Sequence, residues 1–197
     1  MSKVGLLLSG GMDSYALAVW QRPDVAITVD YGQLPAQAEI RAAERLAQYL
    51  SIEHQIIKVD LRSVGSGDLA GTPPVDIAPA TDWWPYRNQA LFTIAAMRLV
   101  RFGVDTLHIA SVRSDGIHRD GTAEFIEKLN ELMAFQEGGM CIEAPAISLS
   151  TAELVRCAAI PYPLLAWAHS CHVGNIACGR CRGCVKHREV VAELGYA

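Results

Sequence analysis

Two short stretches of this 197-residue chain carry side chains whose types and spacing suit chemistry. The first, Ser9-Gly10-Gly11-Met12-Asp13-Ser14, follows the apolar run Val4 to Leu8. A glycine-rich turn that opens a helix aims backbone N–H groups at one point, and such a concave donor array favours phosphate oxygens. Gly10 and Gly11 permit close approach, while Ser9 and Ser14 add hydroxyl donors. Asp13 would repel a bare phosphate, so it implies either an orienting role in the turn or magnesium bridging phosphates. No Gly-Lys-Ser/Thr follows, which excludes a Walker A loop, and the G-x-G-x-x-G pattern is absent.

The second stretch, Cys171 to Cys184, places Cys171, Cys178, Cys181 and Cys184 where two tight turns can close around one ion. Thiolates favour zinc, and four of them leave no position open for water, so the expected role is structural. An iron–sulfur cluster uses the same ligand set. Disulfides are the third alternative, disfavoured in a reducing compartment. His169, His172 and His187 lie close by in sequence and are placed outside the ligand set. Gly179 and Gly183 relieve crowding in the turns, and Arg180, Arg182 and Lys186 are expected to offset part of the thiolate charge.

These residues need a scaffold. Val4 to Leu8 and Val25 to Asp30 read as buried strands, with a helix from Ser14 to Gln21 between them, which makes a βαβ unit. Residues 36–50 put Ile40, Ala43, Leu46, Ala47 and Leu50 on one helical face. A strand over Ile56 to Val59 precedes a long Gly- and Pro-rich connection, Ser63 to Pro85, of the kind that usually carries function. Helices over Asn88 to Phe102 and Thr122 to Phe135 flank a strand at Thr106 to Ala110. Ser150-Thr151-Ala152-Glu153 has capping-box spacing and should open a helix to about Ala159, ended by Pro161 and Pro163. Alternating strands and helices imply an α/β fold, a parallel, doubly wound sheet whose ligands sit at the carboxyl ends of its strands. One domain over 1–197 is expected, with 165–189 a small four-cysteine zinc appendage.

Composition narrows the function. The net charge of -4 and pI of 5.8 give no general attraction to nucleic acid, so no nucleic-acid partner is expected. No apolar run approaches the roughly 18 residues needed to cross a bilayer, and Asp13 falls too early for a signal peptide. A cytoplasmic enzyme handling a small molecule fits best.

Ser9 to Ser14 resembles the pyrophosphate-binding loop of the PP-loop ATP pyrophosphatases, the SGGxDS family. Together with the four cysteines, Val29-Asp30-Tyr31-Gly32-Gln33, the segment Trp84 to Ala96 and Glu124-Phe125, it resembles the 7-cyano-7-deazaguanine synthase (QueC-like) family over nearly the whole chain. The resemblance implies a PP-loop ATPase fold of the Rossmann-like HUP type, with ATP, Mg2+ and structural Zn2+ as cofactors, and a homodimer. It also implies an ATP-dependent carbon–nitrogen ligase. The carboxylate of 7-carboxy-7-deazaguanine is adenylated, ammonia displaces AMP to give an amide, and a second adenylation permits dehydration to the nitrile.

On that resemblance Leu8, Ser9, Gly10, Gly11, Met12, Asp13 and Ser14 bind the nucleotide phosphates, with Tyr31, Gly32 and Gln33 on the adenosine side. Asp13, Ser14, Arg87 and Asn88 are the catalytic candidates. Arg87, His118, Arg119 and Asp120 face the acid, and Cys171, Cys178, Cys181 and Cys184 are the zinc ligands. The chain departs from the family at Leu34-Pro35, where basic residues are usual. It departs again at His118-Arg119-Asp120-Gly121-Thr122, which replaces a Tyr-Pro-Asp-Cys-Arg signature and retains only the Asp. These departures keep open a different carboxylate, an amide end product, a tRNA-thiolating relative and a non-enzymatic nucleotide-binding module.

Overall fold

The computed structural model describes residues 2–196. Five parallel strands, β1 (Val4–Leu7), β2 (Val25–Asp30), β3 (Glu53–Lys58), β4 (Thr106–His108) and β5 (Cys141–Glu143), lie in the order β3-β2-β1-β4-β5. The central strand is β1, whose Leu6 sits opposite Ala26 on one side and His108 on the other. Side chains alternate between the faces of a strand. Leu6, Leu8 and Ala26 therefore join the core beneath helices α1 (Met12–Gln21), α2 (Ala36–Leu50) and α5 (Thr151–Ala158). Val25, Ile27 and Val29 join the opposite core beneath α3 (Arg87–Leu99) and α4 (Ala123–Ala134). The sheet is covered on both faces, as the near-continuous apolar strands require.

The helices follow the expected pattern with shifted ends. The helix expected from Ser14 begins two residues earlier, which places Asp13 in the first turn of α1. In α2 the residues Ile40, Ala43, Leu46, Ala47 and Leu50 are buried. At α5 the capping box forms. Ser150 Oγ accepts from the Glu153 N–H at 3.2 Å, and Glu153 Oε2 accepts from the Ser150 N–H at 2.7 Å. Caps of this kind contribute about 1 kcal/mol. The expected helix through Phe102 instead tightens into a 3-10 turn at Val100–Phe102. The prolines after α5 do not simply end it, because Tyr162–Leu165 forms one further turn, α6, on the preorganised φ of Pro161.

Two elements escape the sequence reading. Strand β5 is three residues long, too short to show a period. Helix α7 (Arg182–Glu193) starts inside the cysteine motif, with Cys181 as its N-cap residue. It reaches back to α5, where Arg156 bonds the side chain and carbonyl of Glu193. No helix among the described residues is long and apolar enough to cross a membrane.

Candidate active site

A cavity of about 340 Å³ opens at the carboxyl ends of β1, β2 and β4, where the strand order reverses. The first turn forms its floor. Gly10 adopts φ +80°, and a Cβ there would lie 2.4 Å from the carbonyl oxygen of Glu39, so only glycine lets the turn pack against α2. The two serine hydroxyls are not free donors. Ser14 Oγ donates to the Gly11 carbonyl at 3.0 Å, and Ser9 Oγ donates to Ser14 Oγ at 3.1 Å. Their bonds hold the turn, which leaves its backbone N–H groups as the donor array.

Asp13 is part-buried at the start of α1 and receives Lys186 Nζ on its Oδ2 at 3.0 Å. The same ammonium reaches Asp115 Oδ1 at 3.2 Å. Burial raises the Asp13 carboxyl above its ordinary value, more than Lys186 lowers it. Burial acts to lower the Lys186 ammonium, but Asp13 and then Asp115 outweigh it and leave its pKa raised. A cation two residues beyond Cys184 thus supplies the lysine that the turn itself lacks.

A second cluster stands on the opposite wall. Asp82, from the long connection between β3 and α3, accepts from Arg182 Nη1 at 3.0 Å. His118 Nε2 lies 3.4 Å from Asp82 Oδ1, and His172 Nδ1 lies 3.5 Å from Oδ2. Burial pushes the Asp82 carboxyl up, yet Arg182, His172 and His118 together hold it below its ordinary value.

A third group lies between the turn and the start of α3. Gln33 Nε2 donates to Glu39 Oε2 at 2.7 Å, and Gln33 Oε1 accepts from the Tyr31 N–H at 2.8 Å. Burial pushes the Glu39 carboxyl up to about 7, against the smaller lowering from Gln33 and Arg87. Arg87 bonds Asn88 Oδ1 twice, at 3.1 Å each. Tyr31 is itself buried, packed edge-on against Trp84 at 5.1 Å, so Trp84 serves the core. Trp167 also stays out of the cavity, its ring lying 3.6 Å beneath the Arg45 guanidinium.

The four cysteine sulfurs all lie within 4.8 Å of one another. Cys178 and Cys184 are 3.9 Å apart, and Cys181 and Cys171 are 4.0 Å apart. A tetrahedron with metal–sulfur bonds of 2.3 Å has edges of about 3.8 Å, so the set fits one four-coordinate ion. Backbone N–H groups bond two of the sulfurs, Cys181 N to Cys178 Sγ at 3.3 Å and His172 N to Cys181 Sγ at 3.4 Å. Donors from Arg180 and Cys181 bring the Cys178 thiol down to about 6. A Cβ on Gly183 would lie 1.9 Å from the Ser170 carbonyl oxygen, so glycine is required where α7 crosses the loop. The expectation that Arg182 and Lys186 offset the thiolate charge is corrected, because their charges are spent on Asp82 and on Asp13 with Asp115.

Of the expected site residues, Ser9, Gly11, Met12, Asp13 and Ser14 line the cavity from the turn. Tyr31, Gln33, Arg87 and Asn88 line it from β2 and α3, and His118 and Asp120 line it from the segment after β4. Leu8 is a core residue, Gly10 meets the cavity edge only through its backbone, and Arg119 is exposed outside it. Gly32 faces a separate shallow groove with Lys58 and Arg62. Sequence reasoning missed Glu39, Asp82, Asp115 and the cavity-facing role of Lys186 and Arg182. Glu39 breaks the apolar face of α2 next to Ala38 and Ile40, which was the one available signal.

A parallel α/β sheet with the SGGxDS turn after its central strand and a compact four-cysteine set defines the fold class of the PP-loop proteins. A solved structure of that class agrees: the U34-tRNA thiolase NcsA from Methanococcus maripaludis with its [4Fe-4S] cluster superposes with a TM-score of 0.57 at 17% identity, covering 98% of this chain and 65% of that one. The chain belongs to the QueC family, whose model, described as "Queuosine biosynthesis protein QueC", matches residues 3–195. Its relatives include the 7-cyano-7-deazaguanine synthases of Methanosarcina barkeri, 27% identical over 96% of this chain and 93% of that one, and of Porphyromonas gingivalis, 28% identical over 96% and 92%. That of Methanospirillum hungatei is 29% identical over 98% and 96%.

Proposed function

We propose that this protein is an ATP-dependent ligase that converts 7-carboxy-7-deazaguanine and ammonia into 7-cyano-7-deazaguanine. The observation that carries the reading is the pairing of the SGGxDS turn with Lys186 and Asp13 in one cavity that also holds Arg87 and Asn88, in a chain of the QueC family. A carboxylate oxygen is a poor leaving group, and AMP is a good one. Backbone N–H groups of the turn would hold the departing pyrophosphate, and Lys186 would neutralise charge gathered there. Arg87 and Asn88, at the start of α3, would orient the acyl group, and His118 and Asp120 would meet the heterocycle.

Asp13 Oδ1 and Thr151 Oγ1 are buried oxygens that meet no partner beyond the approach of the Thr151 hydroxyl to the Asp13 carboxylate, and hard oxygen donors of this kind suit Mg2+. When bound, Mg2+ draws charge from the phosphates. The compact sulfur tetrahedron supports Zn2+ at the cysteines, since a cubic iron–sulfur cluster would force four thiolates further apart. Both metals are read by elemental analysis of the purified protein, and the homodimer by light scattering.

The test is incubation with Mg-ATP, ammonium and 7-carboxy-7-deazaguanine while following AMP and product mass. Amide and then nitrile are expected, and no acid-dependent AMP would overturn the reading. One observation favours a second reading. The cluster of Asp82, Arg182, His118 and His172 occupies the wall where the sequence leaves the family pattern. It suits the same chemistry on another planar acid, which would then release AMP where 7-carboxy-7-deazaguanine does not.

A further inference from the structure

One part-buried carboxylate lining the cavity, that of Glu39, is neither used by the adenylation chemistry nor bonded to a cationic side chain. Glu39 projects from the first turn of α2, beside the phosphate-holding turn, where its backbone carbonyl packs on Gly10. Among the described residues, the one side-chain bond to its carboxylate comes from a neutral amide, Gln33 Nε2 at 2.7 Å on Oε2, while a second bond, at 3.3 Å to the Val29 carbonyl, anchors that amide. Glu39 lines the cavity. Asp13, by contrast, is already engaged by an ammonium. The charged and titratable groups facing Glu39 are Arg87 at the start of α3 and Asp30 and Tyr31 at the end of β2.

Resting on the function proposed above, we infer that Glu39 is the catalytic base of the nitrogen half of the reaction, binding ammonium and taking protons from nitrogen in both stages. In the first stage Glu39 removes a proton from ammonium. The freed lone pair attacks the acyl carbon, a C–N bond forms, the C–O bond to AMP breaks, and AMP leaves with the electron pair. The nitrogen then sheds a second proton to give the amide. In the second stage the amide oxygen displaces pyrophosphate from another ATP, and the nitrogen loses two protons as the C–O bond breaks and C≡N forms. Each stage therefore delivers two protons, which Glu39 accepts one at a time and returns to solvent through the open cavity. A carboxylate suited to this must bind a cation yet still take up a proton near neutral pH, as burial against a neutral amide arranges.

The test compares Glu39→Gln with the parent protein in three assays at neutral pH: acid-dependent exchange of pyrophosphate into ATP, amide formation from ammonium, and hydroxamate formation from hydroxylamine. Hydroxylamine is unprotonated at neutral pH and needs no base to free its lone pair. The expected result is exchange and hydroxamate formation close to the parent, with amide formation slowed by about 100-fold, the scale of general-base catalysis. Retained exchange also shows that the variant is folded. The proposal is overturned if the variant makes amide at the parent rate, if ammonium and hydroxylamine slow equally, or if exchange is lost as well. Absence of acid-dependent exchange in the parent sinks the proposed function itself and this inference with it.

Discussion

The turn after β1 takes its shape from six consecutive residues and their backbone, whereas the segment from His169 to Lys186 rests on four clustered cysteines and contacts borrowed from the rest of the chain. In the turn, Ser9, Gly11 and Ser14 bond one another over at most five residues. The cysteine segment instead leans on the rest of the chain. His169 N–H donates to the Gly10 carbonyl at 2.8 Å, and Asn175 Oδ1 accepts from the Ala38 N–H at 2.8 Å, satisfying one of the free donors at the start of α2. The first region has the backbone donors proposed to hold phosphate but no cation. The second brings Lys186 to Asp13 of the turn and Arg182 to Asp82 on the facing wall. The cysteine set, proposed above to hold one ion, would thus pin the start of the helix that carries Arg182 and Lys186 to the cavity.

The largest effect is expected at Cys181, a proposed metal ligand and the N-cap residue of α7. Cys181→Ser should lower metal content and melting temperature and abolish adenylation together. Metal-linked folding free energy in small zinc modules is on the order of 10 kcal/mol, and a variant that melts normally without metal would show that the segment needs no pin. Asp13→Asn tests the other region. It should reduce acid-dependent AMP release by about 100- to 1000-fold, the scale of losing one preorganised electrostatic contact, with the melting curve little changed.

Glu39 connects the two regions through α2, and its titration gives a pH signature. Its folded pKa of about 7 lies above the ordinary 4.5, so the folded chain binds more protons than the unfolded one between those values. Its contribution to stability is fully present below about pH 4.5 and is lost as the pH rises through about 7. In Glu39→Gln that loss disappears, so urea unfolding at about pH 5 and about pH 8 should differ by up to about 3 kcal/mol less than in the parent.

Lys186→Met sharpens the claim that the cysteine segment lends charge to the turn. A fall of about tenfold in kcat/KM for ATP is expected, about 1.4 kcal/mol, with metal content unchanged; an unaltered value would assign Lys186 to packing alone. The smallest effect belongs to Asn175→Ala, which removes the bond to the α2 N-terminus. It should cost about 1 kcal/mol in thermal or denaturant unfolding and leave adenylation nearly intact.

Much of the scaffold was legible because it is written in short-range periodicity. The apolar face of α2, the β-branched run of β2 and the Ser150–Glu153 box each depend on residues within one or two turns, and each forms where expected. Strand β5 and helix α7 were not legible. The first is too short to carry a period, and the second begins among cysteines and glycines that read as turns. Ser9 and Ser14 show the limit from the other side, since a hydroxyl's partner depends on the local fold and both turned inward.

By itself the sequence determined the parallel α/β architecture, the glycine-rich turn that opens α1 and the four-cysteine set, because contiguous residues and fixed spacings carry those features. Only the tertiary structure decided which charges meet. Lys186 reaches Asp13 across 173 positions and Arg182 reaches Asp82 across 100, and no local pattern encodes a pairing over that separation. The burial that leaves Glu39 beside a neutral amide has the same origin, since a side chain's access to water is set by what the rest of the chain packs around it.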